Sequence, residues 1–149
     1  MNLFQTPSFA IYALFAAGLC TLLILIDSSG GAVRARTKTT PNEEDAGSVA
    51  KGAQVVADDP EKVARVMRAH RNAMANIVPF LILIFIYVAL GATPQWVVGL
   101  CSAFTAMRVA HAVAYINGVQ PWRTASFALG QTCTGIAIVQ IVRAAIALV

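Results

Sequence analysis

Guanidinium, amide, imidazole and phenol side chains recur at helical spacing in three stretches of the chain. In the first stretch Arg68, Asn72 and Asn76 follow one another at intervals of four residues, and Arg71 lies on the adjoining strip of the same predicted helix. Guanidinium groups hold carboxylates and phosphates through charge-assisted hydrogen bonds. A helix that carries Arg and Asn into an apolar segment along one stripe therefore directs them at a partner and not at lipid.

Two later stretches supply further polar groups. Arg108, His111 and Tyr115 share one strip of a second predicted helix, and Arg123 opens a third. Together with the first stretch they would form a basic pocket that suits a small polyanion, with an apolar compound reaching it through the lipid. A purely structural role, in which these side chains join membrane helices by hydrogen bonds, remains an alternative.

The segments that must position these groups are strongly apolar. The chain of 149 residues is 58% hydrophobic and 12% charged, which is too apolar for an ordinary soluble domain. Four segments approach the length of a membrane span, at residues 8–26, about 67–90, 95–116 and about 123–149. A soluble bundle would need polar helix faces that these segments lack. We predict an all-α, integral membrane four-helix bundle, a single domain over residues 1–149, with helices at about 8–36, 61–90, 95–117 and 121–147 and a loop at about 37–60.

The first apolar segment raises two questions of its own. No Lys or Arg precedes it and it is longer than a signal-peptide core, so we expect a retained helix. The weak helix formers at residues 28–31 indicate that this helix ends near Asp27. The family resemblance described below would instead continue the helix past these residues.

Basic residues predict the orientation in the membrane. Eight of the eleven Lys and Arg residues lie within residues 34–71, namely Arg34, Arg36, Lys38, Lys51, Lys62, Arg65, Arg68 and Arg71. The turn at residues 91–94 has none. The positive-inside rule then places the first loop and the basic pocket on the cytoplasmic side, with both termini opposite. We expect the lipid bilayer as a partner and no nucleic acid.

The acidic residues are confined to the first part of the chain. All seven lie at or before Glu61, and those at residues 58–61 would complement the dipole of the second predicted helix. Arg143 and Arg123 can extend to the membrane interfaces. Arg108 falls thirteen residues into its helix, where a charge costs at least about 2.5 kcal/mol. We therefore expect it to meet the loop acids, a neighbouring subunit or an anionic ligand.

The cysteines indicate packing and not chemistry. Cys20, Cys101 and Cys133 are odd in number and each lies in a different predicted span. This pattern argues against a disulfide framework and against a metal site. We expect these cysteines to act as small packing residues in their apolar surroundings.

Four blocks of sequence, in order along the chain, resemble those of the family of membrane-associated proteins in eicosanoid and glutathione metabolism (MAPEG). They are VRAR and NEED at residues 33–36 and 42–45, RAHRN and IVPF at 68–72 and 77–80, RVAHAVAY at 108–115, and QPWR with SF at 120–123 and 126–127. The resemblance covers most of the chain, from Val33 to about Gln140, and each block falls on the expected element. It implies a homotrimer of four-helix subunits with one glutathione between each pair of neighbours.

The resemblance also implies which residues act. The predicted glutathione-binding residues are Arg34, Arg68, Arg71, Asn72, His111, Tyr115, Thr124, Ser126 and Phe127. Arg123 would lie beside the thiol as the catalytic residue, and Asp45 matches an acid implicated in the isomerase chemistry of one branch of the family. Ala75 stands where the family signature has Glu, so the usual partner of the glutathione amino group is missing.

This assignment predicts a mechanism. A thiol with a pKa of about 8.5 is mostly protonated at neutral pH, and a guanidinium beside it favours the reactive thiolate, each pKa unit being worth about 1.4 kcal/mol. Arg123 would supply that charge, and Thr124 or Ser126 would donate a hydrogen bond to the sulfur. A hydrophobic electrophile would enter from the bilayer between the first and fourth helices.

Several functions remain open on the sequence alone. We expect a glutathione transferase, which could also act as a glutathione-dependent peroxidase. A glutathione-dependent isomerase resembling a prostaglandin synthase is the alternative, and Ala75 also leaves room for a non-catalytic lipid-binding relative. A small transporter or channel is disfavoured because an intramembrane carboxylate for ion coupling is missing.

Overall fold

Four long helices make up most of the computed structural model, which describes residues 2–149, so that Met1 lies outside the described residues. The elements are a 3-10 turn at Leu3–Gln5, α1 at Pro7–Thr37, β1 at Thr39–Thr40, α2 at Glu43–Gly47, β2 at Gln54–Val55, α3 at Glu61–Ala89, α4 at Pro94–Asn117 and α5 at Gln120–Ile146. Helices α1, α3, α4 and α5 are each long and apolar enough to cross a membrane. The prediction of four such helices is confirmed, and their ends lie within one residue of the ranges 8–36, 61–90, 95–117 and 121–147 given above.

Helix α1 runs unbroken through residues 28–31, so the interpretation that ended it near Asp27 is wrong. Gly30 is buried against α3, where an added Cβ would collide with the Met67 side chain. Ser29 donates from its hydroxyl to the carbonyl of Ile26 at 2.6 Å. Close packing against α3 thus outweighs the low helix propensity of these residues. The helix ends instead at Thr37, and the residue after it, Lys38, has a left-handed φ of 52°.

The hydrophilic loop between α1 and α3 contains α2 and the two short strands β1 and β2, which pair in parallel. Thr39 is paired with Gln54 and Thr40 with Val55. The sequence shows no alternating strand pattern here, and two residues a side are too few to produce one. The pairing draws both ends of the loop together close to the end of α1.

Packing and capping contacts set the helices against one another. Phe80 of α3 and Phe104 of α4 are fully buried and stack with ring centroids 3.6 Å apart and planes 5° apart. Ser8, at the start of α1, donates to the carbonyl of Ala92 at 2.6 Å. The start of α1 therefore lies beside the turn between α3 and α4, while the loop and the turn between α4 and α5 lie at the opposite end.

The outer face of α1 is apolar and open. Leu14, Ile24 and Leu25 are 75%, 64% and 61% exposed. Aliphatic side chains exposed in such numbers along a helix of membrane-spanning length are suited to contact with lipid.

Candidate functional site

A cavity of about 250 Å³, here called the main cavity, opens where α3, α4 and α5 meet at the loop end of the bundle. Its walls are Asn72 from α3, His111 and Tyr115 from α4, and Arg123, Thr124 and Phe127 from α5. The two α4 residues are four positions apart and so share one face of that helix. The α5 residues occupy its first two turns, because the chain turns back at Gly118 and Pro121 allows a helix start.

Arg123 supplies the positive charge of the main cavity. Its Cζ lies 4.8 Å from the centroid of the Tyr115 ring. Within residues 2–149 it forms no ion pair, since the four ion pairs found there involve other cations. The guanidinium is thus held by an aromatic face and keeps its charge available to a ligand.

His111 joins α4 to the start of α5. Its Nδ1 lies 2.9 Å from the carbonyl oxygen of Arg123, and since a carbonyl can only accept, Nδ1 is the donor. In the neutral ring Nε2 is then an acceptor. That atom is buried and has no hydrogen-bond partner among the residues described. A buried polar atom without a partner has lost its hydrogen bonds to water without replacing them, which costs free energy.

A second, smaller cavity of about 160 Å³, here called the adjoining cavity, shares Tyr115 and Arg123 with the main cavity. Arg65, Arg68 and Gly118 complete its walls. Arg68 lies 2.8 Å from the Glu61 carboxylate and Arg65 lies 3.2 Å from the same oxygen. Three guanidinium groups therefore face this space, with one carboxylate shared between two of them.

Sequence reasoning missed two members of the adjoining cavity. Arg65 lies three residues before Arg68 and so on the same helix face, a spacing that could have identified it. Gly118 has a left-handed φ of 72°, and an added Cβ would meet the Arg65 guanidinium. A Gly directly after a helix end is a common helix stop, which conceals this second role.

Ser126 lies behind the main cavity and not in its wall. It is buried, and its hydroxyl donates to the carbonyl of Trp122 at 2.6 Å, with the Arg123 carbonyl at 3.2 Å. The structure does not bring this hydroxyl to the predicted thiol position. Thr124 is exposed and does line the main cavity.

Arg108 is buried between α4 and α5, and only 2% of it is exposed. Its Nη2 donates to the carbonyls of Ser126 and Phe127 at 3.3 and 3.4 Å, and its Cζ lies 5.4 and 5.6 Å from the Phe104 and Phe127 rings. Nε and Nη1 have no hydrogen-bond partner in the described part of the chain. Of the three partners expected from the sequence, the loop acids do not reach Arg108, which forms no ion pair within residues 2–149.

Besides Ser126, three predicted site residues lie away from both cavities. Arg34 binds Asp59, with Nη2 2.7 Å from Oδ2 and Nε 3.1 Å from Oδ1. Asp45 accepts a hydrogen bond from Asn42 at 2.9 Å, within the loop. Arg71 is exposed and lines neither cavity. The single chain thus gathers six of the eleven predicted residues in the main cavity.

The fold and site together define a class of protein. Four helices of membrane-spanning length carry, at one end, a cavity with guanidinium, hydroxyl, phenol and amide groups in its walls. This is a multi-pass helical membrane protein with a cavity whose wall carries a positive charge.

Comparison with known proteins agrees with this class. A model of the MAPEG family matches residues 10–143. Prostaglandin E synthase of Homo sapiens is 36% identical over 138 residues, 90% of this chain and 88% of that protein. The rat protein of the same name is 39% identical over 121 residues, 76% of each chain. Microsomal glutathione S-transferase 1 of Homo sapiens is 30% identical over 129 residues, 85% of this chain and 83% of that protein. The chain belongs to the MAPEG family.

Proposed function

We propose that this protein is a membrane-bound glutathione transferase that conjugates glutathione to lipophilic electrophiles. The observation that carries the assignment is the meeting of Arg123, without an acidic partner in the described chain, with Thr124 and Tyr115 in one cavity. The name of the human relative, microsomal glutathione S-transferase 1, supports the same chemistry.

The side chains of the cavities fit glutathione, a tripeptide with two carboxylates. Arg68 and Arg65 in the adjoining cavity suit a carboxylate, since guanidinium groups bind carboxylates with charge-assisted hydrogen bonds. Asn72 and Tyr115 suit peptide groups, since an amide and a phenol can each donate and accept a hydrogen bond.

Arg123 and Thr124 would then act on the thiol. Bound glutathione supplies a sulfur that, once ionised, forms a carbon–sulfur bond with the electrophile as the leaving group departs with its electron pair. Arg123 stabilises the negative charge, and the Thr124 hydroxyl donates to it. Thr124 is the better candidate of the two hydroxyls, since Gln120 donates to its oxygen at 3.5 Å and leaves its hydrogen free, whereas Ser126 is bound to Trp122.

We infer further that the site is completed in a homotrimer. Arg34 and Arg71 do not reach the main cavity of their own protomer, yet Arg71 is exposed and Arg34 lies near the loop end of α1. A neighbouring copy could bring both to a shared glutathione. The excess of Lys and Arg in the first loop supports a cytoplasmic position for the loop and the site.

The decisive experiment compares Arg123→Leu with Arg143→Leu, a control on the same helix at the opposite end of the bundle. With 1-chloro-2,4-dinitrobenzene as electrophile, we expect Arg123→Leu to lower kcat about 100-fold, a typical loss when a group that stabilises developing charge is removed. The ultraviolet absorbance of the bound thiolate should disappear with it. Arg143→Leu should keep both signals, and both variants should elute as the wild-type assembly does.

Full conjugation by Arg123→Leu would contradict the role of this arginine. Absence of glutathione-dependent turnover and of glutathione binding in the wild type would contradict the transferase assignment itself.

A second candidate is an isomerase of the prostaglandin synthase type. It is supported by the higher identity to human prostaglandin E synthase, 36% against 30% for the transferase. Asp45 would then be expected to contribute. Conversion of a prostaglandin endoperoxide faster than conjugation of the dinitrobenzene, with loss of that conversion in Asp45→Asn, would favour the isomerase.

A further inference from the structure

A further cavity at the loop end, here called the lateral cavity, lies among α1, α3 and α4. It measures about 760 Å³, within the range of sites for small organic ligands. The last turns of α1, the first turns of α3 and the end of α4 surround it. Val33, Val66 and Ile116 give it an apolar surface.

The rim of the lateral cavity is basic. Arg36, Lys62 and Arg65 line it together with a single acid, Glu61. The Glu61 carboxylate is already shared between Arg65 and Arg68. Arg36 and Lys62 are exposed and form no ion pair within residues 2–149. The rim therefore presents positive charge that no acid of the described chain neutralises.

We propose that the lateral cavity binds one anionic phospholipid of the surrounding leaflet. Its phosphate would lie between Arg36 and Lys62, and the first part of an acyl chain would lie on Val33, Val66 and Ile116. Three observations support a lipid. The cavity is formed by the ends of membrane-length helices, its inner surface is apolar, and its rim carries uncompensated cations.

The lipid site is separate from the chemistry proposed above. Arg36 and Lys62 line neither the main nor the adjoining cavity. Arg65 lines both the lateral and the adjoining cavity, so a bound lipid headgroup would be one side chain away from the glutathione carboxylate site.

The test measures lipid affinity by native mass spectrometry on delipidated protein in detergent. Phosphatidylglycerol is compared with phosphatidylcholine of the same acyl chains in the wild type and in the double variant Arg36→Gln/Lys62→Gln. A basic residue near anionic lipid contributes about fivefold in affinity, so the double variant should bind phosphatidylglycerol about 30-fold more weakly. The wild type should prefer phosphatidylglycerol to phosphatidylcholine, and the variant should lose that preference.

The matched control is Lys38→Gln/Lys51→Gln, which removes the same charge from the walls of a different cavity near the loop. It should leave phosphatidylglycerol affinity unchanged. An equal loss in this control would show non-specific attraction of lipid to a basic surface and would contradict the site.

Two further arms identify the source of the anion. Inorganic phosphate and free oleate are titrated in place of the phospholipid, with the thermal midpoint of the protein as readout. Stabilisation by phosphate alone equal to that by phosphatidylglycerol would contradict a lipid ligand, and stronger binding of oleate than of phosphatidylglycerol would contradict a phospholipid. Unchanged dinitrobenzene conjugation in both double variants shows that the proteins are folded.

Discussion

The guanidinium of Arg123 lies over the ring of Tyr115, with its Cζ 4.8 Å from the ring centroid. The first residue belongs to the first turn of α5 and the second to the last full turn of α4. An aromatic face attracts a cation without occupying the N–H donors at its edge. Tyr115 can thus hold the charge in place while both its hydroxyl and the guanidinium edge remain open to a ligand.

Substitutions at Tyr115 should separate these two contributions. Tyr115→Phe keeps the ring and removes the hydroxyl, so KM for glutathione should rise about threefold to tenfold, the usual value of one hydrogen bond, with little change in kcat. Tyr115→Leu also removes the aromatic face, and kcat should fall as well because Arg123 is no longer held. Steady-state kinetics with varied glutathione measure both constants. An equal effect of Phe and Leu on kcat would contradict the positioning role of the ring.

The hydroxyls of Thr124 and Ser126, both near the start of α5, should contribute very differently to thiolate formation. Thr124→Val keeps the shape of the side chain and removes a donor in the main cavity, so thiolate formation at fixed pH should fall about threefold to tenfold. Ser126→Ala removes a hydroxyl that is bound to the Trp122 carbonyl, and activity should stay within about twofold. Ultraviolet titration of the thiolate in detergent gives the measurement. A larger loss in Ser126→Ala than in Thr124→Val would reverse the assignment.

Substitutions at Gly130 and Arg108 should have coupled effects on the free energy of unfolding. An added Cβ at Gly130 would collide with the Arg108 guanidinium, so Gly130→Ala should lower the free energy of unfolding by about 1–3 kcal/mol. Gly135→Ala is the control on the same helix, where nothing lies within 4 Å, and it should be stabilising by about 1 kcal/mol.

Arg108→Met should remove the cost at Gly130. Arg108 is buried without an acidic partner in residues 2–149, and burying an unpaired charge costs free energy, so the single variant should be neutral or stabilising. In that background Gly130→Ala should behave as Gly135→Ala does. Unfolding in detergent completes the double-mutant cycle, and an unchanged penalty at Gly130 would contradict the contact.

The ion pair between Arg34 and Asp59 should stabilise the loop end of the protein. Both side chains are partly exposed, at 29% and 22%, so Asp59→Asn should cost only about 1 kcal/mol or less of the free energy of unfolding. Asp58→Asn, at an exposed neighbour without an ion pair in residues 2–149, should change it by less than about 0.5 kcal/mol. Limited proteolysis should show faster cleavage of the loop in Asp59→Asn alone. Equal cleavage of both variants would indicate that the pair does not hold the loop.

Much of the architecture could be predicted because hydrophobic length is a local property. The four apolar segments predicted the long helices, and the four-residue spacing of His111 and Tyr115 placed both on one face. The helix end expected near Asp27 was wrong because local propensity says nothing of the α3 surface that packs on Gly30.

The sequence predicted the chemical type of the site, but it identified only some of the residues that line it. Side-chain type and helix position pointed to Arg123, and the family resemblance pointed to Thr124 and Phe127. All three line one cavity with residues of α3 and α4. The direction of the Ser126 hydroxyl, one turn from Trp122, depends on rotamer choice within the packed helix and has no sequence pattern. The sequence pattern does not identify Arg65 as a site residue, because the block that carries the family resemblance begins at Arg68.

The order of residues along the chain was sufficient to determine four membrane-length helices, a cationic end and the family to which the protein belongs. Composition and helical periodicity are properties of a few consecutive turns, so they can be read without knowing which other helices pack against the segment. Only the tertiary structure decided which polar atoms face the cavity and which form hydrogen bonds elsewhere. Arg34 donates to Asp59, and Ser126 donates to the carbonyl of Trp122. Each such choice depends on the distance and angle to a group that packing brings close, and the free energy of a hydrogen bond is lost within a fraction of an ångström.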